Sequence, residues 1–317
     1  MTKKAYRVRN WSDYNRALVS RGSLTFWFSG DLIKNWENKP KEFQRGRNIY
    51  YADAVIICAL TLRQLFRITL RQTEGMMTSL VTLIGENLNI PDYTTLCRRS
   101  KSLRIDLNIK ETHGNKHILV DSAGVQIIGE GEWKKLKHGK SRYQVWKKLH
   151  IAMDANNQMI LSAVITDSVK QDGNYLGCLL NKISGSIATV TGDGAYDKRP
   201  CYKEIYARGA KPIIRTQHNA RAQHNITKKD PALLVRDELI KRLGRGEERP
   251  DKLKIWKEES NYHQRSLVET MMSRMKSIFG DKMRARTFKN QETDLFIRCY
   301  AMNKITSLGM PTSICIS

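Results

Sequence analysis

The spacing of apolar residues changes near residue 110 of this chain. Before that point, apolar residues recur at helical spacing, which predicts a buried helix over residues 52–70. A second helix is expected to begin near Thr73, a suitable N-cap. A third is expected to begin at Pro91 and Asp92, because both residue types favour the first turn of a helix. The N-terminal part of the chain is therefore predicted to be α-helical.

The third predicted helix is basic. It carries Arg98 and Arg99, and Lys101 follows closely. Three short helices that end in a cationic one resemble a helix-turn-helix, whose last helix lies in the major groove of double-stranded DNA. Residues 51–110 are therefore predicted to form a helix-turn-helix-like DNA-binding module that uses these three cations. A helical bundle that binds nothing is an open alternative.

Residues 1–50 interleave aromatic side chains with lysine and arginine. Such a mixture can stack on bases and neutralise phosphates. The same aromatic residues can equally anchor an extended arm on the rest of the protein. We interpret this segment as a basic and aromatic N-terminal arm, with both uses open.

After residue 110, short apolar runs alternate with helical stretches, which predicts an α/β domain with a mixed sheet over residues 111–317. Strands are predicted at residues 117–121, 125–128, 144–153, 158–166, 187–193 and 212–214. Helices are predicted at residues 174–183, 198–208 and 296–306, the last of them covering the sheet. Residues 215–256 are charge-rich and weakly patterned, so we interpret them as an insertion with one helix near residues 232–242.

A further helix is predicted over residues 262–276, which contain no proline or glycine. At about 100° per residue, four polar side chains share an arc roughly 60° wide; they are Tyr262, Arg265, Glu269 and Lys276. The opposite side carries the apolar residues Leu267, Met271, Met275 and Ile278. Taken alone, the polar arc is also typical of a solvated face with an ordinary Arg265–Glu269 pair.

The charge balance indicates a polyanionic partner. The 317 residues include 55 Lys and Arg but only 31 Asp and Glu, which gives a net charge of +24. Nucleic acid is the simplest such partner. The six cysteines form no Cys-x-x-Cys pair, and no apolar run approaches the ~18 residues of a membrane span. A cytoplasmic protein with no membrane association is therefore expected.

Three acidic residues are candidates for chemistry. Asp121 and Asp193 each end a predicted apolar strand, and Glu269 lies on the helix just described. Strand ends meet at one edge of a sheet, so we expect the three carboxylates to converge there. Because like charges repel, such a group needs protons, cations or metal ions. Oxygen ligands suit Mg²⁺ or Mn²⁺, and two such ions can drive phosphodiester cleavage and transfer.

These residues resemble the DDE transposases of bacterial insertion sequences. The resemblance is carried by Leu-Val-Asp121-Ser-Ala-Gly, by Gly-Asp193-Gly-Ala-Tyr-Asp and by the spacing Tyr262-x2-Arg265-x3-Glu269-x6-Lys276. The segments that begin at Asp121 and at Gly129 (Gly-Glu-Gly-Glu-Trp-Lys-Lys) are similar to the subclass known as insertion sequence family five.

This resemblance implies a ribonuclease H-like catalytic core and two Mg²⁺ ions, with Mn²⁺ as a possible substitute. Asp121 would bridge both ions, while Asp193 and Glu269 would each hold one. Tyr262, Arg265 and Lys276 would grip the DNA end. The implied partners are the element ends, a target DNA and further copies of the chain in a synaptic complex, all on the bacterial nucleoid. A catalytically silent repressor and a nuclease without strand joining are open alternatives.

Overall fold

The fold is taken from a computed structural model, which describes residues 5–37, 51–107, 114–128, 146–223 and 230–316. The chain divides into two compact units. One comprises Met1–Ile109 together with Ala285–Ser317, and the other is Lys110–Arg284. Residues 38–50 of the predicted arm and the segment from Gly129 to Lys135 lie outside the described residues.

The described helices are short, apart from the last. In chain order they are α1 (Trp11–Arg21), α2 (Leu24–Trp27), α3 (Gly30–Lys34), α4 (Asp53–Phe66), α5 (Leu70–Leu83), α6 (Tyr93–Ser100), α7 (Leu176–Asn181), α8 (Arg199–Ala207), α9 (Leu234–Leu243), α10 (Arg249–Glu259), α11 (Ser266–Phe279) and α12 (Phe288–Leu308). The strands are β1 (Ala5–Val8), β2 (Lys116–Ile127), β3 (Trp146–Asp154), β4 (Ile160–Asp167), β5 (Ile187–Gly192), β6 (Lys211–Ile214), β7 (Lys282–Met283) and β8 (Ser313–Ile316).

The first unit is built from helices α1–α6 and α12. The helices α4, α5 and α6 contact one another, and α12 packs on α4. A buried ion pair joins these last two helices, with Arg63 Nη1 2.7 Å from Asp294 Oδ1. The strands β1 and β8 pair antiparallel in the same unit. The sequence predicted the last helix at residues 296–306 as a cover for the sheet. It is longer than predicted and is held in the helical unit by this ion pair and its apolar contacts.

The starts of α5 and α6 test the capping predictions. The prediction of Thr73 as an N-cap is wrong, because α5 begins three residues earlier. Thr69 caps that helix and shares a capping box with Gln72. The prediction for α6 is confirmed, since the Asp92 carboxylate accepts a hydrogen bond from the backbone N–H of Thr95. Thr73 lies inside α5, and the sequence prediction took it for an N-cap because threonine is common at that position.

The second unit is a mixed sheet with flanking helices, as predicted. Its six strands follow the order β4-β3-β2-β5-β6, and β7 lies beside β2. The pairs β2/β3 and β3/β4 are antiparallel, whereas β2/β5, β5/β6 and β2/β7 are parallel. Ile118 and Val120 of β2 join a buried cluster with Leu176 and Leu179 of α7 and Ile205 of α8. This core fixes the centre of the sheet.

Two predictions in this unit need correction. Residues 117–121 and 125–128 are not separate strands. They form the single strand β2, which ends at Ile127, because β3 pairs with it without a break from Ile118 to Gln126. The insertion at residues 215–256 holds two helices, α9 and α10, instead of one. The second was missed because its sequence is dominated by charge. None of the helices in the described part of the chain has the length and apolar character that a membrane crossing requires.

Candidate functional site

Asp121 lies on β2, and Asp193 directly follows β5, the adjacent parallel strand. Leu119 of β2 pairs with Thr191 of β5, so two further residues along both strands bring the two aspartates side by side. Asp193 directly follows β5, as the sequence predicted. Asp121 lies inside β2 and not at a strand end. The two carboxylates therefore meet where β5 ends, even though only one of the two strands stops there.

A tight turn holds Asp193 in place. The side chain of Asp193 caps a 3-10 turn, Gly194–Tyr196, and accepts a 2.9 Å hydrogen bond from the backbone N–H of Ala195. Gly192 precedes it, and a Cβ atom there would lie 2.9 Å from the ring of Tyr196. Glycine is therefore required at this position for packing, whether or not DNA also approaches the backbone.

Glu269 lies in the first turn of α11, which is shorter than the predicted helix. The stretch Tyr262–Arg265 forms a separate 3-10 turn, and the α-helix begins at Ser266. Arg265, Glu269 and Lys276 keep the helical spacing, but Tyr262 does not. The apolar side is confirmed at Met271 and Met275, which are buried together with Val268, Met272 and Phe279, whereas Leu267 and Ile278 are only half-buried.

Arg265 connects Glu269 to the strand site. Its guanidinium lies 2.5 Å from Glu269 Oε1 and 3.9 Å from Asp121 Oδ2. The alternative interpretation, an ordinary surface ion pair between Arg265 and Glu269, therefore leaves out Asp121. A single cation lies between two carboxylates that come from different elements.

The pKa of the Asp121 carboxyl is affected by both of the other acidic residues. Burial raises the pKa of the Asp121 carboxyl, while the backbone N–H of Ser122 and the Arg265 guanidinium lower it. The charges of Asp193 and Glu269 raise it again, and the net shift is upward. Asp193 and Glu269 thus lie within electrostatic range of Asp121. The assignment of the three carboxylates to one site stays a prediction.

The donor set suits a hard divalent cation. It consists of carboxylate oxygens, and a positive group already lies between two of them. Within the described ranges, however, no group of three or more His, Cys, Asp or Glu side chains is close enough to hold a metal ion. In this arrangement the Arg265 guanidinium takes the place that a metal ion would have between the carboxylates. The carboxylates have the right chemistry for a metal ion, but they would have to move closer together to bind one.

The other predicted residues of the helix lie in different surroundings. Tyr262 is buried, with its ring centroid 5.3 Å from that of Trp256. Burial raises the pKa of its phenol. Lys276 is exposed near the end of α11. The ring of Tyr262 therefore has a packing role in the structure. Lys276, in contrast, is accessible to a partner.

The three cations predicted to bind DNA from the helical module also differ. Arg98 and Lys101 are exposed at the end of α6. Arg99 pairs with Asp53 and donates a 3.0 Å hydrogen bond to the backbone carbonyl of Tyr51. Arg99 therefore ties α6 to the start of α4.

Sequence reasoning missed a second ionic group close to Asp193. Asp197 follows the turn that Asp193 caps, and its carboxylate pairs with Arg236 of α9 at 2.7 Å. Both residues are buried. The motif Gly-Asp-Gly-Ala-Tyr-Asp contains two aspartates, and only the first was assigned. No feature of the sequence around Arg236 distinguishes it from the other cations of the insertion.

Comparison with known families gives two matches. Residues 112–304, more than half of the chain, match the model of a family described as "Transposase DDE domain". Residues 19–130 match another family with the same description. Among solved structures, the chain is similar to one titled "Cryo-EM structure of piggyBac transposase synaptic complex with hairpin DNA", at a TM-score of 0.38 and 12% identity over 97% of this chain and 76% of that chain.

Proposed function

Because this chain belongs to the family of transposases with a DDE domain, we propose that Asp121, Asp193 and Glu269 are the acidic triad with which it cuts and joins DNA. The chain is a DDE-type transposase, and such enzymes generally use divalent metal ions. The observation that supports the assignment is that Arg265 lies between Asp121 and Glu269, while Asp193 follows the strand next to that of Asp121 and its charge acts on the Asp121 carboxyl. It matches the acidic triad for which the family is named.

The proposed cofactor is Mg²⁺, two ions per site, with Mn²⁺ as a substitute. Asp121 would contact both ions, and Asp193 and Glu269 one each. When bound, such ions would activate a water or the 3′-hydroxyl of the DNA as nucleophile and would stabilise the leaving oxygen at the scissile phosphate. The chain's own part is to hold these three side chains on two adjacent strands and one helix. The mixed sheet and its flanking helices support a ribonuclease H-like core.

Arg265 has two tasks in this proposal. Without metal it neutralises Asp121 and Glu269. With metal bound, its guanidinium becomes available to a phosphate of the DNA end, as a planar donor suited to that geometry. Exposed Lys276 would contact the same DNA, and buried Tyr262 would do so only through its hydroxyl. These three roles are the ones that the family signature implies.

The helical unit would bind the terminal inverted repeats of the element. The helices α4, α5 and α6 form a compact group, and its exposed cations Arg98 and Lys101 support contact with double-stranded DNA. Arg99 would act mainly by holding α6 in place. We propose that this module is helix-turn-helix-like. The domain bounds, 1–50 for the arm, 51–110 for the module and 111–317 for the catalytic domain, stay predictions.

The biological setting follows from the chemistry proposed. Two element ends and a target must be held together, so the active form would be a homo-oligomer in a synaptic complex. The segments that resemble insertion sequence family five support a bacterial element, with the enzyme working on the nucleoid in the cytoplasm.

The test is cleavage and joining of a labelled duplex that carries the terminal inverted repeat, with Mg²⁺ or Mn²⁺ and a supplied target. The wild-type chain should cut and join it, whereas Asp121→Asn should do neither. Asp167→Asn is the matched control, because this exposed aspartate pairs with Lys147 at the end of β4, away from the triad. If Asp121→Asn cuts like the wild type, the site assignment is wrong.

The same assay separates the alternatives. Binding of the repeat by the wild-type chain without any cutting would indicate a repressor. Cutting without joined products would indicate a nuclease.

A further inference from the structure

Asp197 lies one short turn away from Asp193 and has every acceptor position occupied. Its Oδ1 accepts hydrogen bonds from Arg236 Nε at 2.7 Å and from the Tyr202 hydroxyl at 3.2 Å. Its Oδ2 accepts from the backbone N–H of Gln217 at 2.8 Å and from Arg236 Nη2 at 3.5 Å. The side chain is only 1% exposed. Such a carboxylate has no remaining capacity for a metal ion or for substrate.

These bonds hold the turn that carries Asp193. Within the turn, the backbone N–H of Asp197 donates to the carbonyl of Gly194 at 3.2 Å. The side-chain amide of Gln217 donates to the same carbonyl at 3.0 Å. The turn is therefore fixed from two sides, by the Asp197 side chain and by the start of the insertion.

The insertion in turn leads to Glu269. Arg236 lies on α9 and also donates to the carbonyl of Arg221 at 2.9 Å. The apolar residues of α9 and α10 form one cluster with the residue that begins the next element; its members are Leu239, Leu243, Trp256 and Tyr262. Arg265 and Glu269 follow this cluster directly. One continuous packed path therefore connects the Asp193 turn to the helix that carries Glu269.

A buried ion pair contributes little to the free energy of folding, but it fixes the relative positions of the groups that it joins. Removing two charges from water costs several kcal/mol in general, and an apolar pair of the same size would often be as stable. What the pair provides is a fixed arrangement of hydrogen bonds that an apolar contact cannot specify. Its full neutralisation also keeps Asp197 from competing with Asp193 for a cation.

From these contacts we infer that Asp197 and Arg236 form a positioning pair, which fixes the Asp193 turn against the insertion and so sets the spacing of Asp193 and Glu269. Neither residue touches the reacting atoms. The inference deepens the proposed function, on which its metal readout rests.

The experiment compares Asp197→Asn with Asp294→Asn in the full chain. Asp294 is the matched control, because its buried pair with Arg63 belongs to the helical unit. Each variant leaves an arginine without its charged partner, so both should lower the melting temperature by about 10 °C. A role in stability alone predicts that the two variants behave alike in every other respect.

Two readouts separate positioning from stability. Hydrogen exchange of the peptide over residues 193–198 should become at least about tenfold faster in Asp197→Asn and stay unchanged in Asp294→Asn. The dissociation constant for Mn²⁺, measured by electron paramagnetic resonance, should rise about 10- to 100-fold in Asp197→Asn only, the range typical of residues that orient metal ligands. Equal exchange in the two variants would overturn the inference.

A double variant, Asp197→Asn with Arg236→Gln, covers the case in which the single variant fails to fold. It removes the unpaired charge and should recover most of the melting temperature while Mn²⁺ binding stays weak. Wild-type exchange and wild-type Mn²⁺ binding in this variant would contradict the positioning role. Asp121→Asn tests the metal site itself. If the wild type binds no Mn²⁺ through Asp121, the proposed metal site fails, and the exchange data alone decide on the pair.

Discussion

Two arginine–carboxylate pairs of the second unit, Lys110–Arg284, differ in their surroundings. In the pair of Arg236 and Asp197, the side chains are 10% and 1% exposed. In the pair of Arg265 and Glu269, they are 21% and 50% exposed. The first pair has its partners within the unit and no open side. The second has another carboxylate, Asp121, 3.9 Å from Arg265, and it faces solvent.

This difference separates a fixed charge from an exchangeable one. Breaking the buried pair leaves a desolvated ion, which costs several kcal/mol whichever partner is lost. Breaking the open pair, Arg265 and Glu269, returns both ions to water at little cost in free energy. Arg265 can therefore give up its carboxylates to another cation, whereas Arg236 cannot. A site that alternates between metal-free and metal-bound states needs an exchangeable pair, such as Arg265 and Glu269, at its centre. Fixed pairs, such as Arg236 and Asp197, can then hold the surrounding structure in place.

The largest effect is expected for chemistry at the open pair. Glu269→Gln should reduce single-turnover cleavage of end DNA by about 10⁴-fold, because in the proposed site it removes a ligand of the ions that would stabilise the transition state. Its melting temperature should stay within a few degrees of the wild type, since the side chain is half-exposed. Differential scanning fluorimetry on the same samples checks this. A large fall in melting temperature would show that the open pair is structural after all.

The buried pair should show the reverse pattern in stability. Arg236→Gln is expected to lower the free energy of unfolding by about 3–5 kcal/mol, because it leaves the Asp197 carboxylate buried without its cation. Arg265→Gln should lower it by less than about 1 kcal/mol. Urea denaturation of the two variants measures both values. Similar values for the two would mean that exposure does not distinguish the pairs.

The contrast also explains which parts of the site were predictable. Asp121, Asp193 and Glu269 could be proposed from the sequence because each stands in a recognisable local pattern, at an apolar run or at helical spacing. Asp197 and Arg236 lie 39 positions apart on a turn and an insertion helix, and only the tertiary fold brings them together. The predicted sheet was correct in type. The continuity of β2 was missed because Ser122, Ala123 and Gly124 resemble a break until their pairing with β3 is known.

A buried titratable group extends the comparison to pH. His150 on β3 is buried, with Nε2 2.9 Å from Thr166 Oγ1 and Nδ1 3.7 Å from Asp172 Oδ1. Burial lowers the pKa of His150 to about 4, against the opposing effect of Asp172, and Lys148 lowers it further. The unfolded chain, with the ordinary pKa of 6.5, therefore takes up a proton before the folded one does.

The stability that His150 contributes should be complete above pH 6.5 and be lost as the pH falls towards 4. Over that range the loss is about 3 kcal/mol, at ~1.4 kcal/mol per pKa unit. Urea denaturation at pH 7 and pH 4.5 should show a steeper fall for the wild type than for His150→Gln. Equal slopes would mean that His150 has the same pKa in the folded and the unfolded protein.

The smallest effect probes the exchange at the open pair directly. If Arg265 occupies the place of a cation between Asp121 and Glu269, a divalent ion must displace it, so Arg265→Gln should bind Mn²⁺ more tightly in the absence of DNA. The gain should be about fivefold, equivalent to about 1 kcal/mol, because an exposed pair is worth no more than that. Arg265→Lys keeps the charge and should stay near the wild type. Weaker Mn²⁺ binding by Arg265→Gln would show that Arg265 orients the ligands and does not compete for them. The open pair would then resemble the buried one in function despite its exposure.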